Sequence, residues 1–258
     1  MRRFLLAATL CLVIGLLGGL LTLAVEPSAA PARYRFVPPR ETAFDFNLKD
    51  QDGKSRSIAA ARGNVLVLTF LFSTCHDLCP AEANLMGAAA EKVGGGVLVY
   101  GVSVDPDGDT PERAKAFIKR RGLPPAAFKY LLGTREELKP VWRAYGIAPV
   151  NATPEDAIAA AEATDKFLAA AAARGEKLGR RPYEPPKRDA PEDAGDPYPD
   201  PDDLSYRGRS RHEQGLDFEH SAYVMLIDKH GRQRVGIPFE QLTVEGLAAD
   251  LEALKREP

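Results

Sequence analysis

The chain has 258 residues, 45% of them hydrophobic, which leaves room for one sizeable core. Its 34 Lys and Arg are balanced by 36 Asp and Glu, giving a formal charge of −2 and a pI near 6.1. That balance excludes the basic surface a nucleic-acid-binding protein needs.

Met1, Arg2 and Arg3 precede an uncharged, mostly apolar run over residues 4–25. At ~1.5 Å per residue the run is long enough to cross a hydrocarbon layer of ~30 Å. It exceeds the ~7–15 residues of an ordinary signal-peptide core, so residues 1–30 are expected to be an uncleaved N-terminal membrane anchor, with the arginines on the cytoplasmic side. Cleavage near Ser28, Ala29 and Ala30 would make the segment a signal peptide instead. Cys11 lies inside the run and reads as a lipid-facing thiol. The remainder is expected to be extracytoplasmic, on the periplasmic side in a bacterium, where two isolated cysteines suggest a disulfide or a metal site.

Residues 44–48 alternate apolar and polar, and Asp52-Gly53 marks a turn before Ser57 and Ile58, which predicts a short hairpin. Residues 64–72 (NVLVLTFLF) predict a strand buried on both faces. The unit Cys75-His76-Asp77-Leu78-Cys79-Pro80 follows at once, then a helix over 80–93 that stops at three glycines. Residues 97–104 (VLVYGVSV) predict a second buried strand, and Thr110-Pro111-Glu112 starts a helix to Arg121. A strand over 128–132 and a helix over 135–145, ended by Gly146, come next. The C-terminal part reads as a strand over 222–228, a turn at Lys229-His230-Gly231, a strand over 234–237 and a helix over 244–255. A βαβ unit followed by a hairpin and a last helix is an α/β, thioredoxin-like plan spanning residues 40–258.

An insertion over residues 151–215 interrupts that plan. An Ala-rich helix is predicted from Thr153-Pro154-Glu155 to Lys177, with little to bury. Residues 180–211 are dense in Pro, Asp, Glu and Arg and lack the apolar content that offsets ordering entropy, which predicts a surface excursion without fixed structure.

The chemistry is expected at the cysteine pair. If a helix began there, positions i and i+4 would share one face roughly 5–6 Å apart. The helix dipole would then lower the thiol pKa values. Two thiolates select soft or borderline metals such as Cu(I) and Zn(II), and an imidazole would complete a trigonal copper site. Of the four histidines, His230 sits in a turn and His212 in the charged excursion. His76 points away from its neighbours on a helix, so it joins both cysteines only if the backbone there is not helical. His220 leads into the strand over 222–228, beside the strand that presents the cysteines. Asp105 and Asp109 read as turn and capping residues, and Met86 and Met225 as core residues.

Thr74-Cys75-His76-Asp77-Leu78-Cys79-Pro80, then Val102-Ser103-Val104-Asp105-Pro106 with Asp109-Thr110-Pro111, then Glu219-His220-Ser221 leading to Leu226-Ile227-Asp228, resemble the successive signature blocks of the Sco/SenC family. Members are membrane-anchored thioredoxin-fold proteins that bind copper and help assemble the binuclear copper centre of cytochrome c oxidase. The resemblance implies that Cys75, Cys79 and His220 are ligands of Cu(I) or Cu(II). It also implies partners in copper donor proteins and in the copper-bearing subunit of the oxidase. The family more often has proline where this chain has His76, and the insertion over 151–215 is longer than the family pattern.

A metallochaperone is therefore expected in preference to an enzyme. The alternative is a thiol-disulfide oxidoreductase that reduces cysteines of the copper acceptor, with Cys75 and Cys79 as the catalytic pair. Such reductases use a Cys-x-x-Cys pair faced by a proline, whereas this spacing is one residue longer and no proline occurs between Gly215 and Asp228. A thiol peroxidase, suggested by Thr74-Cys75 alone, and a structural disulfide are weaker readings.

Overall fold

The computed structural model describes residues 42–75, 78–150, 152–173 and 223–258. Seven strands form one sheet: β1 (Leu48–Asp50), β2 (Ser55–Arg56), β3 (Val65–Leu71), β4 (Val97–Ser103), β5 (Phe128–Leu132), β6 (Tyr223–Ile227) and β7 (Gln233–Pro238). Their order across the sheet is β2-β1-β5-β4-β3-β6-β7. β3, β4 and β5 run parallel, whereas β1 pairs antiparallel with β5, and β6 with β3 and β7.

The helices are α1 (Ile58–Ala61), α2 (Leu78–Val93), α3 (Pro111–Arg120), α4 (Arg135–Tyr145), α5 (Pro154–Ala173) and α6 (Val244–Arg256), with a 3-10 turn over Phe239–Gln241. Every residue of β3 is buried, as its unbroken apolar run requires at the centre of a sheet covered on both faces. Each of its Val and Leu side chains contributes about 1.5–3 kcal/mol by leaving water.

Successive strand residues point to opposite faces, and β3 uses this to separate two layers. The Thr69 hydroxyl reaches Glu82 on α2, whereas the Phe70 ring packs 5.5 Å from that of Tyr145 on α4, so α2 and α4 cover opposite faces. Tyr130 lies in register with Gly101 and so with Thr69, and its ring meets Phe117 of α3 edge-on at 5.8 Å. This places α3 on the α2 face, where α6 also packs against α2.

Local chemistry fixes the element ends. Thr134 and Glu137 form a capping box at the start of α4, and Gly146, at φ +68°, ends that helix in the left-handed conformation that glycine adopts without cost. Thr110 caps α3 by accepting from the Arg113 N–H, with Pro111 as its first helical residue.

The first hairpin departs from expectation. Its strands lie at Leu48–Asp50 and Ser55–Arg56 rather than over 44–48 and at Ser57-Ile58. The Asp45 carboxylate accepts from the N–H groups of Phe46, Ile58 and Ala59, and Ser57 caps α1 through the Ala60 N–H. Side-chain acceptors thus replace a ladder in the flanks of the hairpin.

Among the described residues no helix is long and apolar enough to cross a membrane. The apolar run over 4–25, the excursion over 180–211, His76, His212 and His220 lie outside the described residues.

Candidate metal and thiol site

The sulfur pair sits where β3 leaves the sheet. The chain turns after Phe72, with the Cys75 N–H donating to the Phe72 carbonyl at 3.2 Å, and α2 then opens at Leu78. Cys79 is the second residue of that helix, while Cys75 precedes it. The condition for both cysteines to share one helical face, a helix beginning at Cys75, is therefore not met. The cause is legible in Pro80: a helix begun at Cys75 would need a Pro80 N–H for the carbonyl of residue 76, and its ring would strike that carbonyl. Begun at Leu78, the helix has Pro80 in its first turn, where no donor is missed.

Neither cysteine is in a disulfide and both are buried, Cys75 at 6% and Cys79 at 1% exposure, and their side chains are hydrogen-bond neighbours. The expected lowering of thiol pKa by the helix N-terminus is overturned at Cys79. Burial pushes that thiol well above its ordinary range, the hydrogen bond and charge of Cys75 add to the rise, and a backbone hydrogen bond with Phe72 opposes it. Desolvation of a nascent anion outweighs the helix dipole there.

Two buried carboxyl groups that sequence reasoning did not assign to the site border it, Glu82 within the influence of the Cys75 charge and Asp109 bonded to the turn that carries Cys75. Glu82 is 1% exposed and accepts a hydrogen bond from the Thr69 hydroxyl at 2.7 Å. Burial pushes its carboxyl up to about 8, opposed by the Thr69 bond and reinforced by the charge of Cys75. The available signal was its spacing, three residues after Cys79 and so on the same face of α2.

Asp109 was expected to cap α3 and instead is buried. One carboxyl oxygen accepts from the Ser73 N–H at 2.8 Å, and the other accepts from the Ser103 hydroxyl at 2.5 Å and the Tyr130 hydroxyl at 2.8 Å. Burial raises it to about 6 against the pull of those hydrogen bonds from Ser103, Ser73 and Tyr130. Asp105 does form a turn, its carboxylate accepting from the Gly108 N–H at 3.1 Å.

Of the remaining candidates, Met86 and Met225 are buried in the core. His230 is exposed at the far end of β6, its Nε2 3.0 Å from the Pro258 carbonyl. Among the described residues no group of three or more His, Cys, Asp or Glu side chains is arranged to hold a metal ion. The described part of the site is a soft, two-sulfur donor set, which fits Cu(I) and requires a further donor for a trigonal site.

A family model described as SCO1/SenC matches residues 37–174. The chain is 32% identical over 115 residues to protein SCO1 homolog 1, mitochondrial, of Arabidopsis thaliana, a match covering 43% of this chain and 34% of that protein. The chain thus spans about a third of the length of that relative. Among solved structures, ScoI of Bradyrhizobium japonicum with copper bound matches at a TM-score of 0.50 and 21% identity, over 83% of this chain and 99% of the other. BsSco, described as a member of the Sco family of cytochrome c oxidase assembly proteins in which a disulfide switch was identified, matches at a TM-score of 0.51 and 17% identity, over 86% and 98%. These likenesses place the sheet and helices in the thioredoxin-like Sco fold.

Proposed function

The chain belongs to the SCO1/SenC family, and on that premise we propose that it is a copper chaperone for the binuclear copper centre of cytochrome c oxidase. Cys75 and Cys79 hold the ion as thiolates and His220 supplies the nitrogen. The copper-bound ScoI and the assembly role stated for the Sco family of BsSco support this reading.

One observation carries the assignment of His220. β6 runs antiparallel to β3, with Leu68 opposite Met225, and the Thr69 hydroxyl lies 3.4 Å from the Tyr223 carbonyl. The chain therefore joins β6 at the end of the sheet from which β3 leads to Cys75, and His220 is three residues before Tyr223. His230 follows the opposite end of β6, away from the end of β3 that leads to Cys75, by the same pairing.

Binding exchanges two thiol protons for the ion, so uptake weakens as pH falls. Burial of Cys75 and Cys79 keeps water from competing for the metal and leaves delivery to ligand exchange with a thiol-rich acceptor. A disulfide between them removes both sulfur donors, so loading requires the reduced pair. Residues 1–30 anchor the protein in the membrane, with the thioredoxin-like domain on the extracytoplasmic side.

The test is a copper titration of the reduced protein with Cys75→Ser and His220→Ala variants, followed by absorption and metal analysis. Each variant is expected to bind at least about a hundredfold more weakly, roughly 2.7 kcal/mol. Undiminished binding by His220→Ala would instead leave a two-sulfur protein, the thiol-disulfide oxidoreductase alternative, whose disulfide exchange with an acceptor peptide is then the activity to measure.

A further inference from the structure

We propose that Asp109 is the positioning residue for Cys75: its buried carboxylate fixes the turn that presents this sulfur, independently of the helix that presents Cys79. The proposal rests on the reading of Cys75 and Cys79 as the working pair.

Asp109 gathers donors from the ends of all three parallel strands. The Ser73 N–H lies two residues beyond β3, Ser103 ends β4, and Tyr130 belongs to β5. The Ser103 hydroxyl in turn accepts from the Asp105 N–H at 3.1 Å, and the Ser103 carbonyl accepts from the Trp142 indole at 2.9 Å. The carboxylate is therefore seated in a frame that α4 also holds. Its bond to Ser73 lies inside the turn closed by the Cys75 N–H and the Phe72 carbonyl. The thiol of Cys79 touches the Phe72 backbone and Cys75, but the helix that carries it is anchored elsewhere, by the burial of Ala83 and Met86 and by the bond from Thr69 to Glu82.

A carboxylate can accept all three hydrogen bonds, whereas an amide can still accept from the Ser73 N–H and donate to the two hydroxyls, so only a side chain without an acceptor releases the turn. In Asp109→Ala the Ser73 N–H and the Ser103 and Tyr130 hydroxyls all lose this acceptor. The turn is then released while α2 keeps its packing.

Thiol reactivity reads this selectively, without metal. Reduced, metal-free parent and Asp109→Ala proteins are treated with iodoacetamide, and the alkylation rates of Cys75 and Cys79 are followed separately by mass spectrometry. The Cys75 rate is expected to rise about tenfold or more, as a released turn opens locally, and at least about threefold more than the Cys79 rate, since α2 stays packed. Equal acceleration of both thiols, which general loosening produces, overturns the proposal, and so does acceleration of neither. In the parent protein the Ser73 amide is also expected to exchange with deuterium at least about a hundredfold more slowly than an unprotected amide. An unprotected Ser73 amide overturns the proposal even where the variant does not fold. If the parent fails to bind copper, the chaperone reading falls while both thiol and amide measurements stand.

Discussion

Replacing Glu82 by Gln isolates the cost of keeping a carboxyl beneath the sulfur pair. Burial holds this group near 8 in the folded protein, against 4.5 for an ordinary glutamate. Between those values the folded chain keeps a proton that the unfolded chain has released. The stability associated with it is complete below about 4.5, declines as pH rises, and is gone above about 8. At 1.36 kcal/mol per pH unit, the whole interval is worth on the order of 5 kcal/mol. Gln has nearly the same shape, can still bond to the Thr69 hydroxyl and has no proton to lose. The assay is denaturant unfolding of reduced, metal-free parent and Glu82→Gln proteins at intervals from about pH 5 to about pH 9. The stability difference is expected to move in favour of the Gln variant by roughly 3–5 kcal/mol across that range, most of it below about pH 8. Because the charges of Glu82 and the cysteines act on one another, the two proteins are also compared in a Cys75→Ser, Cys79→Ser background, which removes thiol titration from both curves. Parallel curves, with a constant offset at every pH, would refute the reasoning.

Gly101→Ala should cost about 1–3 kcal/mol by overpacking, since its new carbon would lie 2.8 Å from Leu71 Cδ2 and 3.3 Å from Phe128 Cζ; an unchanged urea midpoint would count against the packing described. Thr134→Ala breaks the capping box of α4 and should cost about 1 kcal/mol in the same measurement. Tyr223→Phe removes the donor that reaches the Tyr145 carbonyl at 2.6 Å; leaving that carbonyl without its partner should cost about 1–3 kcal/mol, read as a lowered midpoint of thermal unfolding.

Local signals made much of this architecture legible. The strand at Phe128–Leu132 and the helix at Arg135–Tyr145 have the expected bounds, because Thr134, Glu137 and Gly146 mark the helix ends chemically. The cysteine pair is legible as a motif, and α2 begins at Leu78, two residues before the start read from composition, with Pro80 in its first turn. Asp109 and Glu82 show what a one-dimensional reading misses. Their partners, Ser73, Ser103 and Tyr130 for one and Thr69 for the other, are set by sheet register and helix docking. An aspartate just before Thr110-Pro111 has the local appearance of a capping residue, and only the parallel alignment of three strand ends turns it inward. The thiol prediction erred in sign at Cys79 because sequence reveals a helix start but not how little water surrounds it.

The pairing of β3 with β6 has a consequence for biosynthesis. Leu66 and Ile227 are neighbours across the sheet but 161 positions apart along the chain. On a ribosome or emerging from a translocation channel, β3 therefore waits a long time for one of its two flanking strands, with an open edge and an unfinished apolar layer. The nascent sulfurs spend that interval without their final shelter. If they meet an oxidant then, a bridge can form before copper arrives, so a reductant acting on the finished protein belongs among the requirements for its use.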